Sequence, residues 1–213
     1  MNAARLGTSQ ELLTLLDWRR RIAELYRLVR EDDDPVHAWD VWRDVRDELI
    51  GGHPQSPLDS IARASFVGLQ YFEYGPEARV LAKVREVASD VRELPVSRGD
   101  RFRFTRFAVA EFELHGEAMT LELDWLEEYS SGVFVSFTDE TSGAETYGAG
   151  RYLLDTAKGA DLGQVGDKLV LDFNFAYNAS CAYDPRRACP LAPLENRLPL
   201  AIRAGEMAPA SPG

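Results

Sequence analysis

The chain is poor in the residues that usually announce chemistry: its 213 residues include two cysteines, three histidines and, among 24 basic side chains, only three lysines. Two cysteines, Cys181 and Cys189, are too few for a disulfide scaffold, and without a histidine nearby they fall short of the four ligands of a structural zinc site. His37, His53 and His115 are scattered over a helix, a linker and a turn. There is no Gly-x-Ser-x-Gly elbow, phosphate loop, dinucleotide fingerprint or His-Glu-x-x-His. Positive charge is short as well. A net charge of −11 and a pI near 4.8 argue against nucleic acid and against anionic membrane surfaces as partners. No run approaches the ~18 apolar residues of a spanning helix. Met1–Gln10 has no apolar signal core, so the expected address is the cytoplasm.

What is present is an ordinary globular composition, 45% hydrophobic and 28% charged. A chain of this size buries roughly 70% of its unfolded surface, enough for one substantial core without metal or disulfides. The first fifty residues read as two helices. Leu15, Trp18, Ile22, Leu25, Tyr26 and Val29 recur at spacings of three and four, and Val36, Trp39, Trp42, Val45 and Leu49 do so again. Asp34 and Pro35 are placed to cap and open the second helix, and Gly51-Gly52 to end it. From His53 the texture turns to strands, expected at Ser65–Tyr71, Arg79–Val87, Arg101–Leu114, Met119–Trp125, Val133–Thr138, Arg151–Leu154, Lys168–Asn174 and Leu198–Arg203. The expectation is a mainly β (α+β) chain: an antiparallel barrel or sandwich of about eight strands, with two N-terminal helices packed outside. Its parts are a helical extension over 1–50, a β domain over 51–206 and a disordered tail over 207–213.

One hairpin can be registered on paper. A two-residue turn at Gly116-Glu117 pairs Leu114 with Met119, Phe112 with Leu121 and Glu111 with Glu122. Two carboxylates then face each other within a stretch, Phe107 to Gly150, that holds ten acidic residues and no lysine or arginine. Either this is a cation or amine site or a carboxylate pair whose members titrate apart, or arginines from another strand relieve the repulsion, and the last is the simpler reading.

The unusual segment is Asp172-Phe-Asn-Phe-Ala-Tyr-Asn-Ala-Ser-Cys-Ala-Tyr183 with Cys189-Pro190 and Glu195-Asn196-Arg197, dense in directional hydrogen-bonding groups. A loop this long either serves function or satisfies its own backbone. These residues, continuing through Ile202-Arg203-Ala204-Gly205-Glu206, resemble the family called domain of unknown function 1684. So do Trp42-Arg43-x-x-Arg46, His53-Pro54-Gln55-Ser56-Pro57-Leu58, Phe66-x-Gly68-Leu69-x-Tyr71-Phe72 and the stretch from Phe137 to Arg151. The resemblance spans Val41 to Glu206. It implies a mostly β domain and supplies no reaction, cofactor or partner. It picks out Asp139, Thr141, Thr146, Tyr147 and Arg151, then Asp172, Asn174, Tyr177, Asn178, Glu195, Asn196 and Arg197.

The functional expectation is a small polar or anionic molecule held in a pocket under the 172–197 loop. Arg151, Tyr147, Asn174, Tyr177, Asn178, Asn196 and Arg197 are its candidate contacts. Asp172 and Glu195 are candidate proton-transfer groups and Cys181 a candidate nucleophile, activated by Arg186 or Arg187. Each has a structural counterpart. Arg151 pairs internally with Asp172, and the two cysteines are packing thiols or a loop lock. No metal set and no cofactor is identified. The alternative function is a non-catalytic interaction module in which the polar loop is architecture and the N-terminal helices form a homodimer or partner contact.

Overall fold

The computed structural model describes residues 7–99, 102–127 and 131–209. Helix α1 (Ser9–Glu31) opens on a capping box: Thr8 Oγ1 accepts from the Glu11 N–H, and the Glu11 carboxylate accepts from the Thr8 N–H at 2.6 Å. Helix α2 (Pro35–Gly52) opens as its sequence predicts, with Asp34 accepting from the N–H groups of Val36 and His37 and Pro35 in the first turn. The short helix α3 (Ser60–Ala64) is capped by Asp59.

Eight antiparallel strands form one sheet: β1 (Arg79–Leu94), β2 (Phe102–Leu114), β3 (Glu117–Leu126), β4 (Val133–Phe137), β5 (Arg151–Asp155), β6 (Gln164–Val165), β7 (Lys168–Asp172) and β8 (Tyr177–Asn178). They are ordered β6-β7-β1-β2-β3-β4-β5-β8. That order forces the sheet to curl. In a flat sheet, β7 and β8 would lie six strand spacings apart, about 29 Å. The chain from Asp172 to Tyr177 has five residue steps and reaches about 17 Å at most. The sheet therefore bends into a half-barrel whose ends approach each other. Register shifts at Glu86/Asp90, Arg106/Ala108 and Val135/Ser136 supply the local twist. Leu121, Leu123, Phe137, Leu153, Leu171 and Phe173 belong to the largest core cluster, on the inner face. Helices α1 and α2 cover the opening: Leu25, Trp39, Trp42 and Leu49 are buried with Leu162, Val170 and Phe175.

Two expected strands do not join the sheet, and each has a local cause. Ser65–Tyr71 is interrupted by Gly68 at φ 123°, and the Leu69 N–H donates to Asp47 at 3.0 Å; only Tyr71 makes a bridge, to Glu206. Over Leu198–Arg203, Pro199 removes a donor, and the Ile202 carbonyl, with that of Ala204 just beyond, is taken by the Arg151 side chain. The expected start of a strand at Arg101 lies outside the described residues.

The hairpin turn sits one residue earlier than expected. His115 (φ 52°) and Gly116 (φ 82°) are the central pair, both in the left-handed region as a type I′ turn requires. Phe112 then opposes Met119, Glu111 opposes Thr120, and Glu122 opposes Val109. The acidic face is relieved from β1 and β2. Arg85 pairs with Glu111, Arg106 with Glu122 at 2.9 Å, and Arg92 bridges Glu122 and Asp124. The proposed tail is tied down at its start, because the Met207 N–H donates to Gln70 O and the Ala208 N–H to Glu145 O. Residues 210–213 lie outside the described residues.

Candidate functional site

Most of the polar residues singled out in sequence are spent on the fold. Asp172 ends β7 and accepts from the backbone N–H and the Nδ2 of Asn174, at 3.0 and 2.8 Å. Burial raises the pKa of its carboxyl, against the pull of those two hydrogen bonds. Asn174 in turn donates to Gly75 O and accepts from Gly75 N–H, which fastens the loop to the segment before β1. Asn196 fills the gap where β3 and β4 diverge. It accepts from Glu122 N–H and donates to the carbonyls of Glu122 and Ser136, reproducing the ladder bonds that the strands no longer share.

Arg151, only 1% exposed, is the centre of this architecture. Its guanidinium pairs with Asp139 at 2.7 Å and donates to the carbonyls of Ile202, Ala204 and Glu206. The expected partner, Asp172, is not the one found. Arg151 lies opposite Phe137 at the end of β4, two residues from Asp139, whereas Asp172 ends β7 and has Arg79 as its cationic neighbour at 3.9 Å. Asp139 also accepts from the N–H and hydroxyl of Thr141, whose Oγ1 meets Thr146 Oγ1 at 2.8 Å. Glu195 and Arg197 are exposed.

A hollow of about 390 Å³ lies between the inner faces of α1 and α2, the ends of β2, β4 and β5, and the chain from Tyr177 to Pro190. Of the predicted contacts, Tyr177 and Asn178 line it; Arg151, Tyr147, Asn174, Asn196 and Arg197 do not. Nor do the candidate groups Asp172, Glu195 and Cys181, although Cys189 does. Its aromatic walls are Trp18, Tyr26 and Trp42, which the sequence reading assigned to plain helix core, with Phe104, Phe134 and Tyr152 from the strands.

The floor carries a buried charge. Arg46 donates to Glu206, and its guanidinium stands 5.1 Å from the Trp42 ring and 4.8 Å from the Tyr177 ring. Burial opposes the Arg46 charge, but Glu206 and the surrounding tyrosines outweigh it and hold the pKa above the ordinary arginine value. Glu206 is itself raised by burial, opposed by Arg46 and by Asn178, whose Nδ2 donates to it at 2.9 Å. Burial pushes the Tyr26 phenol up to about 12 and Tyr152 and Tyr177 well above their usual value, so all three keep their protons at neutral pH. Within these walls, Arg46 Nε, Asn178 Oδ1 and Tyr183 Oη are buried without a hydrogen-bond partner among the described residues. Tyr26 Oη and Trp42 Nε1 neighbour one another without a well-formed hydrogen bond. At the rim stand Arg19, Lys158 and Arg187, with Asp155 paired to Lys158 at 2.6 Å. A chain of net charge −11 thus lines its hollow with four cations and one carboxylate.

The missed floor had two readable signals: Arg46 stands four residues after Trp42 on the apolar stripe of α2, and both Arg46 and Glu206 fall among the residues that resemble the family. Cys181 and Cys189 are free and buried. Arginine does not activate Cys181: Arg186 and Arg187 both pair with Asp184. Hydrogen bonds from Cys189 first, then Tyr147 and Ser97, bring its thiol down to about 6 against the effect of burial. Among the described residues no group of three or more His, Cys, Asp or Glu side chains is placed to hold a metal ion, and no helix is long and apolar enough to cross a membrane.

The family model described as protein of unknown function, DUF1684, matches residues 64–207. The solution NMR structure of an uncharacterized protein from Haloarcula marismortui is 34% identical, with a TM-score of 0.58 over 83% of this chain and 97% of that one. No curated protein matches.

Proposed function

The chain belongs to the DUF1684 family, and from that premise we propose that it binds a small molecule in the hollow between α1–α2 and the half-barrel. The ligand has a flat aromatic or apolar body and a polar, anionic end. One observation carries this reading: the hollow of about 390 Å³ coincides with the unpartnered buried atoms Arg46 Nε, Asn178 Oδ1 and Tyr183 Oη. Polar groups closed off from water ordinarily find partners, and a ligand supplies them here. The aromatic walls suit the body, and the rim cations Arg19 and Arg187 suit a carboxylate or phosphate. The 172–197 loop contributes one wall, through Tyr177 to Pro190, and the helices contribute the other.

The test is native mass spectrometry of the freshly purified chain, followed by a thermal-shift screen of aryl carboxylates and aryl phosphates. A binder at a hundred times its Kd stabilises the native state by about 2.7 kcal/mol, a rise of several degrees in Tm. Tyr183→Phe and Tyr26→Phe are expected to melt as the wild type does and to lose that rise. No retained mass and no shift across the screen sinks the reading.

A second reading rests on a separate observation. Leu12, Leu13 and Leu16 are 44%, 60% and 50% exposed on the first turns of α1. A homodimer or partner contact through that helix covers them. Leu13→Glu with Leu16→Glu is then expected to halve the mass seen by light scattering; an unchanged mass removes the homodimer.

A further inference from the structure

Cys181 and Cys189 stand eight residues apart on a segment that the rest of the molecule holds folded back on itself. The Cys189 N–H donates to Ser97 Oγ and its carbonyl accepts from Ser97 N–H, both at 3.0 Å, while Tyr152 Oη donates to Pro190 O at 2.6 Å. From the other side the Tyr147 hydroxyl donates to Cys181 Sγ at 3.7 Å. The two thiols are close enough for each to shift the other's titration. They are packed in one cluster with Leu94, Phe104, Phe134 and Tyr152. Nothing in the architecture described above requires them to be cysteines. The Tyr147 hydroxyl points its hydrogen at the Cys181 sulfur, an arrangement that serves a thiolate better than a packing thiol.

We propose that Cys181 and Cys189 are a redox couple that a small hydroperoxide converts into a disulfide, with Cys181 the attacking sulfur and Cys189 the resolving one. The environment divides the labour. The neighbouring thiol and the Tyr147 hydroxyl lower the pKa of Cys181, whereas its neighbour and burial raise that of Cys189. In the first step the Cys181 thiolate attacks one peroxide oxygen. An S–O bond forms, the O–O bond breaks, and the departing oxygen takes a proton to leave as water or an alcohol. In the second, the Cys189 sulfur attacks the sulfenic sulfur. The S–S bond forms, the S–O bond breaks, and the hydroxyl leaves as water with the Cys189 proton. The sulfurs lose two electrons together and the peroxide gains two. With the two residues only 5% and 7% exposed, the oxidant must be small, which favours a hydroperoxide over a bulky disulfide. Cys189 also lines the hollow, so oxidation stiffens one of its walls, but the chemistry does not depend on a ligand being there.

The test uses the full reduced chain and hydrogen peroxide at neutral pH, with intact mass and a thiol count after denaturation. The wild type is expected to lose both thiols together, to become lighter by two hydrogen atoms and to recover with dithiothreitol. Cys189→Ser should stop at a sulfenic acid on Cys181, heavier by one oxygen and trapped by dimedone. Cys181→Ser should react at least about tenfold more slowly. Equal rates in the two variants, or oxidation that only links one molecule to another, overturns the proposal. If a variant does not fold, the wild type still decides. Both thiols remaining free under peroxide that oxidises glutathione in the same solution also overturns it.

Discussion

Two buried arginines show what separates framework from site in this molecule. Arg151 spends its two terminal nitrogens on Asp139 and three main-chain carbonyls, and so fixes the course of the chain from Ile202 to Glu206. Arg46 has one carboxylate partner, Glu206, lies between two aromatic rings, and keeps a free Nε beside a hollow. Both side chains are closed to solvent and both belong to the residues that resemble the family. Each keeps an Nε without a hydrogen-bond partner among the described residues; what differs is where the terminal nitrogens go, and that only Arg46 borders the hollow. A buried charge that spends its donors mostly on main-chain carbonyls is holding the backbone, and one that borders open space is available to a guest.

The contrast can be broken by substitution. Arg151→Met should have the largest effect, a loss of about 4–5 kcal/mol, because Asp139 is stranded and three carbonyls lose their donor. Urea denaturation measures it, and a loss under 2 kcal/mol would undo the framework role. Arg46→Met should cost about 3 kcal/mol by leaving Glu206 alone. Adding Glu206→Gln should return much of that, since an amide needs no cation, and a double-mutant cycle reads the coupling. If the pair does not couple, Arg46 is held by something other than Glu206.

Asn196→Ala should follow at about 2–3 kcal/mol, from the main-chain groups of Glu122 and Ser136 left without partners. The smallest effect is expected at Asp172. Its native pKa is raised, so the folded state binds the proton more tightly than the unfolded chain does. Its contribution is most favourable below the ordinary carboxylate value of about 3.9 and is lost as pH rises through the native value. Asp172→Asn should therefore flatten that part of the stability–pH curve and change neutral-pH stability by less than about 1 kcal/mol. A steeper curve in the variant would reverse the sign argued here.

The local elements were readable because their causes are local. Asp34-Pro35 opens α2 whatever the rest of the chain does, and the alternation Met119, Leu121, Leu123 needs only a face to bury. The hairpin came within one residue, since Gly116 marks the turn but His115 shares its left-handed geometry, which a preference for glycine alone does not disclose. Ser65–Tyr71 and Leu198–Arg203 misled because their residue types suit strands while Asp47 and Arg151 take the hydrogen bonds that a strand would need and Pro199 has no N–H to give. At the candidate site, Tyr177 and Asn178 were legible and the floor was not. Tyr26, Trp42 and Arg46 lie more than a hundred residues from Tyr177, on stripes that look like any helix core.

By itself the sequence determined helices α1 and α2 and the cap of α2, six of the eight strands, the acidic balance and the polar density of the final third. Each of these follows from interactions between residues a few positions apart. Only the tertiary structure decided that β7 and β8, five residues apart, sit six strand positions apart in one sheet. It also decided that the sheet bends to bring them together, and that the helices leave a hollow over the gap. Those outcomes depend on which distant groups exhaust one another's hydrogen bonds, and that pairing is set in three dimensions.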